Sequence, residues 1–334
     1  MATRVAVDVM GGDRGPAVIV EGALAGARAS HADLLLVGAT ADIEFALKSQ
    51  DVDGLSIEIV EAPDVITMHD HAAQAVRRKP NSSINVALRL ISDGRADAMV
   101  SAGHSGAVMA GSLMVLGRIQ GIDRPAIASW VPTATGKTLL LDLGAVVDPK
   151  PANLVQFAEM GQVYVERIME QDRPTIGLLS NGEEPTKGNA LVLATHPLLA
   201  AREDLNFIGN VEGKDVVLGT VDIIVTDGFT GNVALKTGEG VATMFTDLLR
   251  TEISATLPRK LASLALRPVF RTIRARFDYA EIGGAPLLGV KGNVIIAHGR
   301  SNARAIERAI SVAVKSAEVD LVGGISSRLV PLAT

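Results

Sequence analysis

The chain has 334 residues, of which 48% are hydrophobic and 3% aromatic, and its formal net charge is −5. This length suits one large α/β domain or two coupled lobes, with a core built mainly from Ala, Val, Leu and Ile. The negative charge and the scarcity of aromatic rings argue against nucleic-acid binding. The absence of Cys excludes disulfides, thiolate metal sites and a cysteine nucleophile.

The N-terminal residues lack the pattern of a secretory signal peptide. An apolar segment begins at Arg4, with no charged region followed by a long apolar stretch and a cleavage site. No apolar run approaches the roughly 20 residues of a membrane span. We therefore expect a cytoplasmic protein.

Short apolar runs, each followed by a small or polar turn, recur along the chain. Runs of this kind predict buried strands. They lie at Arg4–Val9, Asp33–Val37, Ser56–Val60, Ala96–Val100, Ala126–Val131, Thr138–Leu143, Thr175–Leu179, Leu205–Ile208, Val221–Thr226 and Asn293–Ala297. Stretches with helical spacing, such as Asn153–Glu170 and Asn302–Ser316, lie between many of them. The alternation predicts βαβ units and a mainly parallel sheet.

The loops that follow the predicted strands are rich in Gly, Asp, Asn, Ser and His. Ligands of open parallel sheets bind outside the carboxyl ends of the strands. We therefore expect these loops to meet at one edge and to form one cleft. No linker-like tract or fixed-period repeat divides the sequence, so residues 1–334 are expected to form a single domain, with two lobes as an alternative.

The loop Asp227–Asn232 (DGFTGN) follows a predicted strand and precedes a helical stretch. Its small residues allow backbone N–H groups to face an anion at a helix N-terminus. The alternative is a tight strand–helix turn with an N-cap. The candidate ligands for phosphate or substrate are Gly228, Thr230, Gly231 and Asn232, beside Asp227 as an orienting or basic group.

A second loop of this design is Ser101–Ala107 (SAGHSGA). Its backbone N–H groups and hydroxyls can cradle a phosphate, and His104 is either a ligand or a surface residue at a helix N-terminus. The loop does not match the G-x-S-x-G motif of serine hydrolases. The candidate ligands here are Ser101, Gly103, His104, Ser105 and Gly106.

Lys187 lies in the polar loop Asn181–Asn189. A lysine held near a reacting carbonyl can neutralise the charge that develops in a transition state, although most loop lysines are simply solvated. Further substrate-binding candidates are Asp8, Gly11 and Gly12 after the first strand, His69 and Ser82 in the basic segment 68–83, and Asn189.

Several cofactor motifs are missing from the sequence. His69 and His71 have no third ligand at a suitable spacing, so a metal site is not predicted. Gly136-Lys-Thr138 resembles the end of a P-loop, but Val131 occupies the position of the required glycine. No G-x-G-x-x-G motif follows the first strand. We expect no cofactor.

The segment 253–277 contains basic residues and no acidic residue, and is predicted to form a basic amphipathic helical protrusion. Pro258 and Pro268 indicate two short helices rather than one. Such an element contacts an anionic membrane surface, an acidic protein or a second subunit, or it covers the core. The contact candidates are Arg259, Lys260, Leu266, Arg267, Phe270, Arg271, Ile273 and Arg274.

Eight segments together resemble the bacterial phosphate acyltransferase family, which forms acyl phosphate from acyl-acyl-carrier protein. They occur in the family order and span nearly the whole chain. They are DVMGGDRGP (8–16), MHDHAAQAVRRKPNSS (68–83), SAGHSGA (101–107), LDLGAVVDPKPANLVQFAEMG (141–161), IGLLSNGEEPTKGN (176–189), GNVEGKD (209–215), DGFTGNVALKTGEG (227–240) and GGAPLLGVKG (283–292). SAGHSGA differs from the SAGNTGA of many members, which places any catalytic role of His104 or Ser105 in doubt.

The resemblance implies a homodimeric three-layer α/β/α fold like that of isopropylmalate dehydrogenases and phosphotransacetylases. It also implies that acyl carrier protein and orthophosphate are the partners in the reaction. The product would supply a membrane glycerol-3-phosphate acyltransferase for phospholipid synthesis, with the enzyme bound peripherally to the inner face of the membrane.

These residues suit direct acyl transfer, because phosphate is already charged and a thiol leaves without a strong acid. We assign Lys187 to charge stabilisation and Asp227 to orientation or base catalysis. A phosphotransacetylase that uses acyl-CoA, a dehydrogenase and a non-enzymatic membrane scaffold built on 253–277 are the alternatives.

Overall fold

The structure is a computed structural model that describes residues 2–267, 269 and 283–329. The first half of the fold contains four strands and five helices. In chain order they are β1 (Arg4–Asp8), α1 (Pro16–Ser30), β2 (Asp33–Gly38), α2 (Thr40–Leu47), β3 (Ile57–Glu61), α3 (Ala72–Arg78), α4 (Ser83–Ser92), β4 (Ala98–Ser101) and α5 (Ser105–Val115).

The rest of the described chain adds a second group of strands and then returns to the first half. Its elements are β5 (Ala126–Pro132), β6 (Lys137–Leu141), α6 (Pro151–Met169), β7 (Thr175–Leu179), α7 (Ala190–Ala200), β8 (Asn206–Val211), α8 (Asp215–Leu218), β9 (Ile223–Val225), α9 (Gly228–Ser254), α10 (Leu257–Ala265), β10 (Ala285–Leu288), β11 (Asn293–Ile296), α11 (Ala303–Glu318) and α12 (Leu321–Arg328).

All of these strands belong to one sheet, in the order β3-β2-β1-β4-β11-β10-β5-β6-β9-β7-β8. The five strands from β3 to β11 are mutually parallel, and so are the four from β6 to β8. Antiparallel pairing of β10 with β11, of β10 with β5 and of β5 with β6 reverses the direction between the two groups.

Helices cover both faces of the sheet, which confirms the predicted fold class. Within β1, Val5 and Val7 pack in the core beneath α1 and α11, whereas Ala6 packs on the opposite face beneath α4 and α5. A side chain at Gly26 of α1 would lie 2.6 Å from Cβ of Ile310 on α11. Glycine thus allows these two helices to pack closely.

Each of the ten predicted strands overlaps an observed strand, and both predicted helices are present. Sequence analysis missed β10, because its short Ala-Pro-Leu-Leu run follows two glycines and contains proline. Pro286 lies opposite Ile295 of β11, and Leu287 lies opposite Ile127 of β5. This strand belongs to the antiparallel region that joins the two halves.

The expectation that all the strand-end loops point to one edge of a single parallel sheet is wrong. The carboxyl ends of β1, β4 and β11 lie at one edge, and β6, β7 and β9 run in the opposite direction. Helix α9 starts in the second set of loops, and its Lys236 lies 3.3 Å from His298 in the loop after β11. Helix α9 then links the two sets.

Candidate active site

The loops after β1 and β4 are joined beneath the surface by Asp8 and Ser101. Both side chains are at most 1% exposed. The Ser101 hydroxyl donates to Oδ2 of Asp8 at 2.6 Å, and the Gly11 N–H donates to Oδ1 at 3.1 Å. Burial raises the pKa of Asp8, and hydrogen bonds from Ser101, Ser83 and the backbone oppose that rise. Asp8 and Ser101 therefore fix the two loops from the protein interior and do not face solvent.

Glycine permits the close approach of these two loops. A Cβ at Gly11 would lie 2.6 Å from the backbone nitrogen of Gly103. Gly12 has a φ of +95°, a conformation that glycine adopts without strain. The Asp13 N–H donates to the carbonyl of Gly299 at 2.7 Å, and the Ala297 N–H donates to that of Ser101 at 2.8 Å. The loop after β11 thus joins the loops after β1 and β4, and these three loops form the first loop cluster.

The predicted phosphate loop at the end of β4 starts helix α5. His104 is its N-cap, and Nδ1 accepts a 3.4 Å hydrogen bond from the Ala107 N–H. Histidine thereby fills a capping role for which asparagine is suited in the related SAGNTGA sequence. Ser105 is exposed and Gly106 is half-buried, so the first turn of α5 is partly accessible from solvent.

The two candidate residues of the segment 68–83 differ in exposure. His69 is exposed in the turn before α3, whereas Ser82 is fully buried and accepts from the Asn85 N–H at 3.4 Å as the N-cap of α4. The neighbouring Ser83 is also buried, and its hydroxyl lowers the pKa of Asp8. Ser82 is therefore not placed to touch a ligand in this conformation.

A second loop cluster surrounds Asp142, the residue that follows β6. Its carboxylate accepts from the N–H groups of Ile127 (2.9 Å), Ala145 (3.1 Å) and Val146 (2.6 Å). The Val146 carbonyl accepts from the Gly228 N–H at 2.8 Å. Burial raises the pKa of Asp142 against these backbone hydrogen bonds. Asp142 thus fixes the DGFTGN loop through Val146. Sequence analysis did not single out this aspartate.

In the DGFTGN loop, Asp227 caps α9. Its Oδ1 accepts from the Thr230 N–H at 2.8 Å, and its Oδ2 accepts from the Thr230 hydroxyl at 2.7 Å. Gly228 and Gly231 are buried against the Asp142 loop, whereas Thr230 and Asn232 are exposed. The turn therefore contains the N-cap that one interpretation requires, and anion binding by this turn stays a prediction.

Lys187 is exposed on the loop after β7, the strand next to β9 in the sheet. Asn189 caps α7 by accepting from the Val192 N–H at 2.9 Å. Within the described residues, no hydrogen bond or ion pair joins the Lys187 side chain to Asp227. A role of Lys187 beside Asp227 therefore stays a prediction.

Helix α9 connects the two loop clusters through residues that sequence analysis missed. Lys236 Nζ lies 3.3 Å from Nε2 of His298, on the loop after β11, and 2.9 Å from Oε2 of Glu239. Arg300 lies 3.9 Å from the same Glu239 oxygen. Lys236 was detectable only as a cation nine residues after Asp227, and His298 only as a polar residue at a strand end.

Partial burial is the largest cause of a lowered pKa at His298. The positive charges of Lys236 and Arg300 lower it further, while Glu239 and Asp13 act in the opposite direction. The imidazole is therefore neutral at neutral pH. Across the described ranges, no group of three or more His, Asp or Glu side chains is arranged to hold a metal ion.

The predicted protrusion is described only in part. Helix α10 starts at Leu257 after its N-cap Thr256 and stops before Pro268. Arg259 pairs with Glu252 of α9 at 2.7 Å, while Lys260, Leu266 and Arg267 are exposed. The predicted contacts Phe270, Arg271, Ile273 and Arg274 lie outside the described residues. No helix in the described part is long and apolar enough to span a membrane.

The fold is that of a phosphotransacetylase-like α/β protein. A phosphotransacetylase (EutD) from Staphylococcus aureus superposes with a TM-score of 0.62 at 13% identity, covering 95% of this chain and 94% of that chain. A phosphotransacetylase from Streptococcus pyogenes gives the same TM-score of 0.62 at 16% identity, with the same coverage of 95% and 94%. At this identity the likeness establishes the fold.

The sequence comparisons establish the family. The model of the family described as "Fatty acid synthesis protein" matches residues 3–322. A phosphate acyltransferase from Geobacter sulfurreducens is 51% identical, over 93% of this chain and 89% of that protein. One from Herpetosiphon aurantiacus is 47% identical, over 98% and 97%. The chain belongs to this family, and both of these relatives are phosphate acyltransferases, so the predicted family and enzyme class are confirmed.

Proposed function

We propose that this protein transfers an acyl group from an acyl-carrier-protein thioester to orthophosphate, and that the acyl phosphate supplies phospholipid synthesis. The arrangement of two glycine-rich loop clusters on either side of the first turns of α9 carries this proposal. One cluster offers the N-terminus of α5, and the other offers the N-terminus of α9 beside Asp227. Oriented N–H groups at helix N-termini suit a phosphate and a developing oxyanion.

In the proposed reaction, an oxygen of HPO₄²⁻ attacks the thioester carbonyl carbon. The carbon–sulfur bond breaks, the thiol leaves with the proton that phosphate loses, and an acyl phosphate remains. The enzyme's task is to hold the two reactants together and to stabilise the tetrahedral oxyanion. We assign the second role to Lys187, and orientation or base catalysis to Asp227.

A substrate panel tests the choice of donor. Purified protein is incubated with acyl-acyl-carrier protein or acyl-CoA of several chain lengths, and thioester loss is followed with and without phosphate. We expect phosphate-dependent loss that is faster with the carrier protein. Faster turnover of acyl-CoA would favour the phosphotransacetylase alternative, and no phosphate-dependent loss with either donor would overturn the proposed function.

We also propose that the protein is a homodimer that binds peripherally to a membrane, where it delivers acyl phosphate to a glycerol-3-phosphate acyltransferase. Large apolar side chains that are 38–60% exposed along α9 support an interaction surface there, namely Val241, Met244, Phe245, Leu248 and Leu249. In and just after α10, exposed Leu264 and Leu266 lie close in sequence to exposed Lys260 and Arg267, a combination suited to anionic lipid.

Flotation with anionic liposomes tests the membrane contact. A Leu264→Asp/Leu266→Asp variant should lose flotation and keep acyl transfer in solution, because these side chains would insert among the lipids. If flotation persists while transfer from carrier protein collapses, α10 docks the carrier protein. Sedimentation of the unmodified protein at several concentrations checks the dimer.

A further inference from the structure

The side chain of Asn210, near the end of β8, is bonded to the loop that carries Lys187. Asn210 is 6% exposed, and its Nδ2 donates a 2.9 Å hydrogen bond to the carbonyl of Glu184. The Lys187 N–H donates to the same carbonyl at 2.9 Å. One backbone oxygen therefore joins a buried amide of the sheet to the backbone of the lysine.

Residues 184–187 form a turn that suits their sequence. The hydrogen bond from the Lys187 N–H to the carbonyl three residues earlier closes a β-turn. Pro185 occupies the second position of this turn, where proline is favoured. All four residues are exposed, so they bury little apolar surface. A segment of this kind opens easily unless hydrogen bonds hold it.

The bond from Asn210 ties this turn to the sheet. A carbonyl oxygen has two lone pairs, and Lys187 already donates to the Glu184 oxygen. The second bond therefore fixes where the turn lies against β8. A Cβ at Gly182 would lie 2.8 Å from Cγ of Lys187, so the lysine stem lies against the Gly182 backbone. The direction of the stem thus depends on the position of the turn.

An ion pair also reaches this loop but holds it less firmly. Lys214 Nζ lies 3.0 Å from Oε1 of Glu183, and both side chains are more than half exposed. Exposed ion pairs contribute little because water screens them and two long side chains must be ordered. The buried amide of Asn210 is therefore the main attachment of the turn to β8.

We propose that Asn210 is a positioning residue for acyl transfer, and that its bond to the Glu184 carbonyl holds the turn from which Lys187 stabilises the oxyanion. This inference rests on the proposed function and deepens it. A lysine on a flexible stem stabilises a transition state best when its backbone is already in place. Asn210 touches neither reactant in this role and acts through the backbone of Lys187.

Steady-state kinetics with a matched control tests this role. Asn210→Ala should lower kcat by roughly 3–10-fold, the value of one neutral hydrogen bond, with less than about a twofold change in either KM. Asn206→Ala is the control. Asn206 lies at the other end of β8, and its Nδ2 donates at 3.0 Å to the carbonyl of Arg173, which precedes β7. This variant loses the same type of bond away from Lys187, so it should leave kcat unchanged.

A double-mutant cycle separates positioning through Lys187 from a general loss of structure. In a Lys187→Ala background, Asn210→Ala should cause no further fall in kcat, because the group that it positions is gone. A further fall of the same size in that background would overturn the inference. An unchanged kcat of Asn210→Ala in the presence of Lys187 would overturn it as well.

Hydrogen exchange of a peptide that covers residues 181–189 follows the turn without any turnover. Asn210→Ala should speed exchange of the Lys187 amide by roughly 3–10-fold, and Asn206→Ala should leave it unchanged. Asn210→Ser, whose hydroxyl is too short to reach the Glu184 carbonyl, should behave like Asn210→Ala and replaces it if the alanine variant does not fold.

Two outcomes of the exchange measurement contradict the inference. They are unchanged exchange in the Asn210 variants and an equal rise in Asn206→Ala. If exchange changes as expected but the unmodified protein transfers no acyl group, the proposed function fails, and the attachment of the turn by Asn210 stands without a role in acyl transfer.

Discussion

The Ser101 hydroxyl donates a 2.6 Å hydrogen bond to the carboxylate of Asp8, across two neighbouring parallel strands. The same carboxylate accepts from Gly11, and Ser101 Oγ accepts from the Gly103 N–H at 3.1 Å. One buried pair of side chains therefore fixes the backbone of both loops. Asp142 fixes the second cluster in the same manner through three backbone N–H groups.

Replacing Asp8 tests the buried network. Asp8→Ala should lower the free energy of unfolding by about 1–3 kcal/mol, because Ser101 and Gly11 lose their acceptor. The raised folded-state pKa means that Asp8 contributes most to stability below its ordinary value of 3.8, and that this contribution declines as the pH rises through the folded-state pKa. The penalty measured by urea denaturation should therefore be smaller at pH 8 than at pH 4.

Asp53→Asn is the control for this measurement, since Asp53 is exposed in a turn. It should change the free energy of unfolding by less than about 0.5 kcal/mol. A penalty for Asp8→Ala that grows with pH would show that the folded protein favours the charged carboxylate, contrary to the raised pKa.

Two glycines of α9 are expected to respond oppositely to alanine. A Cβ at Gly231 would overlap the carbonyl oxygen of Asp142. Gly231→Ala should therefore lower the free energy of unfolding by about 1–3 kcal/mol and displace the DGFTGN loop. A Cβ at Gly238 would have no atom within 4 Å. Gly238→Ala should therefore raise the free energy of unfolding by about 0.5–1 kcal/mol, because alanine has the higher helix propensity. Thermal unfolding and acyl transfer report both effects. A harmless Gly231→Ala would contradict the close packing of α9 on the Asp142 loop.

Asp227 is the N-cap of α9 and also has a proposed role in the reaction, and two substitutions separate these roles. Asparagine keeps the hydrogen bond from the Thr230 N–H, so Asp227→Asn should retain stability while kcat falls at least about tenfold. Asp227→Ala should show the same fall in kcat and should also lower the free energy of unfolding by about 1 kcal/mol, because the N-cap is lost. If Asp227→Asn turns over normally, Asp227 acts only as the N-cap.

Lys187→Ala tests charge stabilisation in the transition state. The side chain is exposed, with only its stem near Gly182, so the free energy of unfolding should change by less than about 0.5 kcal/mol. We expect kcat with long-chain acyl-carrier protein to fall by roughly 10²-fold or more, a loss comparable to that of one oxyanion donor. Lys48→Ala, at an exposed lysine that ends α2, serves as the control. Unchanged turnover would remove Lys187 from the mechanism.

The sequence by itself determined ten of the described strands, the two helices α6 and α11, and the glycine-rich loops at strand ends. Apolar runs with glycine-rich ends are local signals, so Ser101–Ala107 and Asp227–Asn232 were identified as helix-starting loops without a fold. The order of the motifs likewise determined the family, because that match needs no geometry.

Only the tertiary structure decided which loops meet. Strand direction reverses through β10, β5 and β6, and this depends on long-range antiparallel pairing that local patterns do not encode. The burial of Asp8 and Ser82 follows from neighbours distant in sequence. The contact between Lys236 and His298 joins residues 62 positions apart. It forms because α9 runs from one loop cluster to the other, and a cation nine residues into a helix carries no sign of its partner.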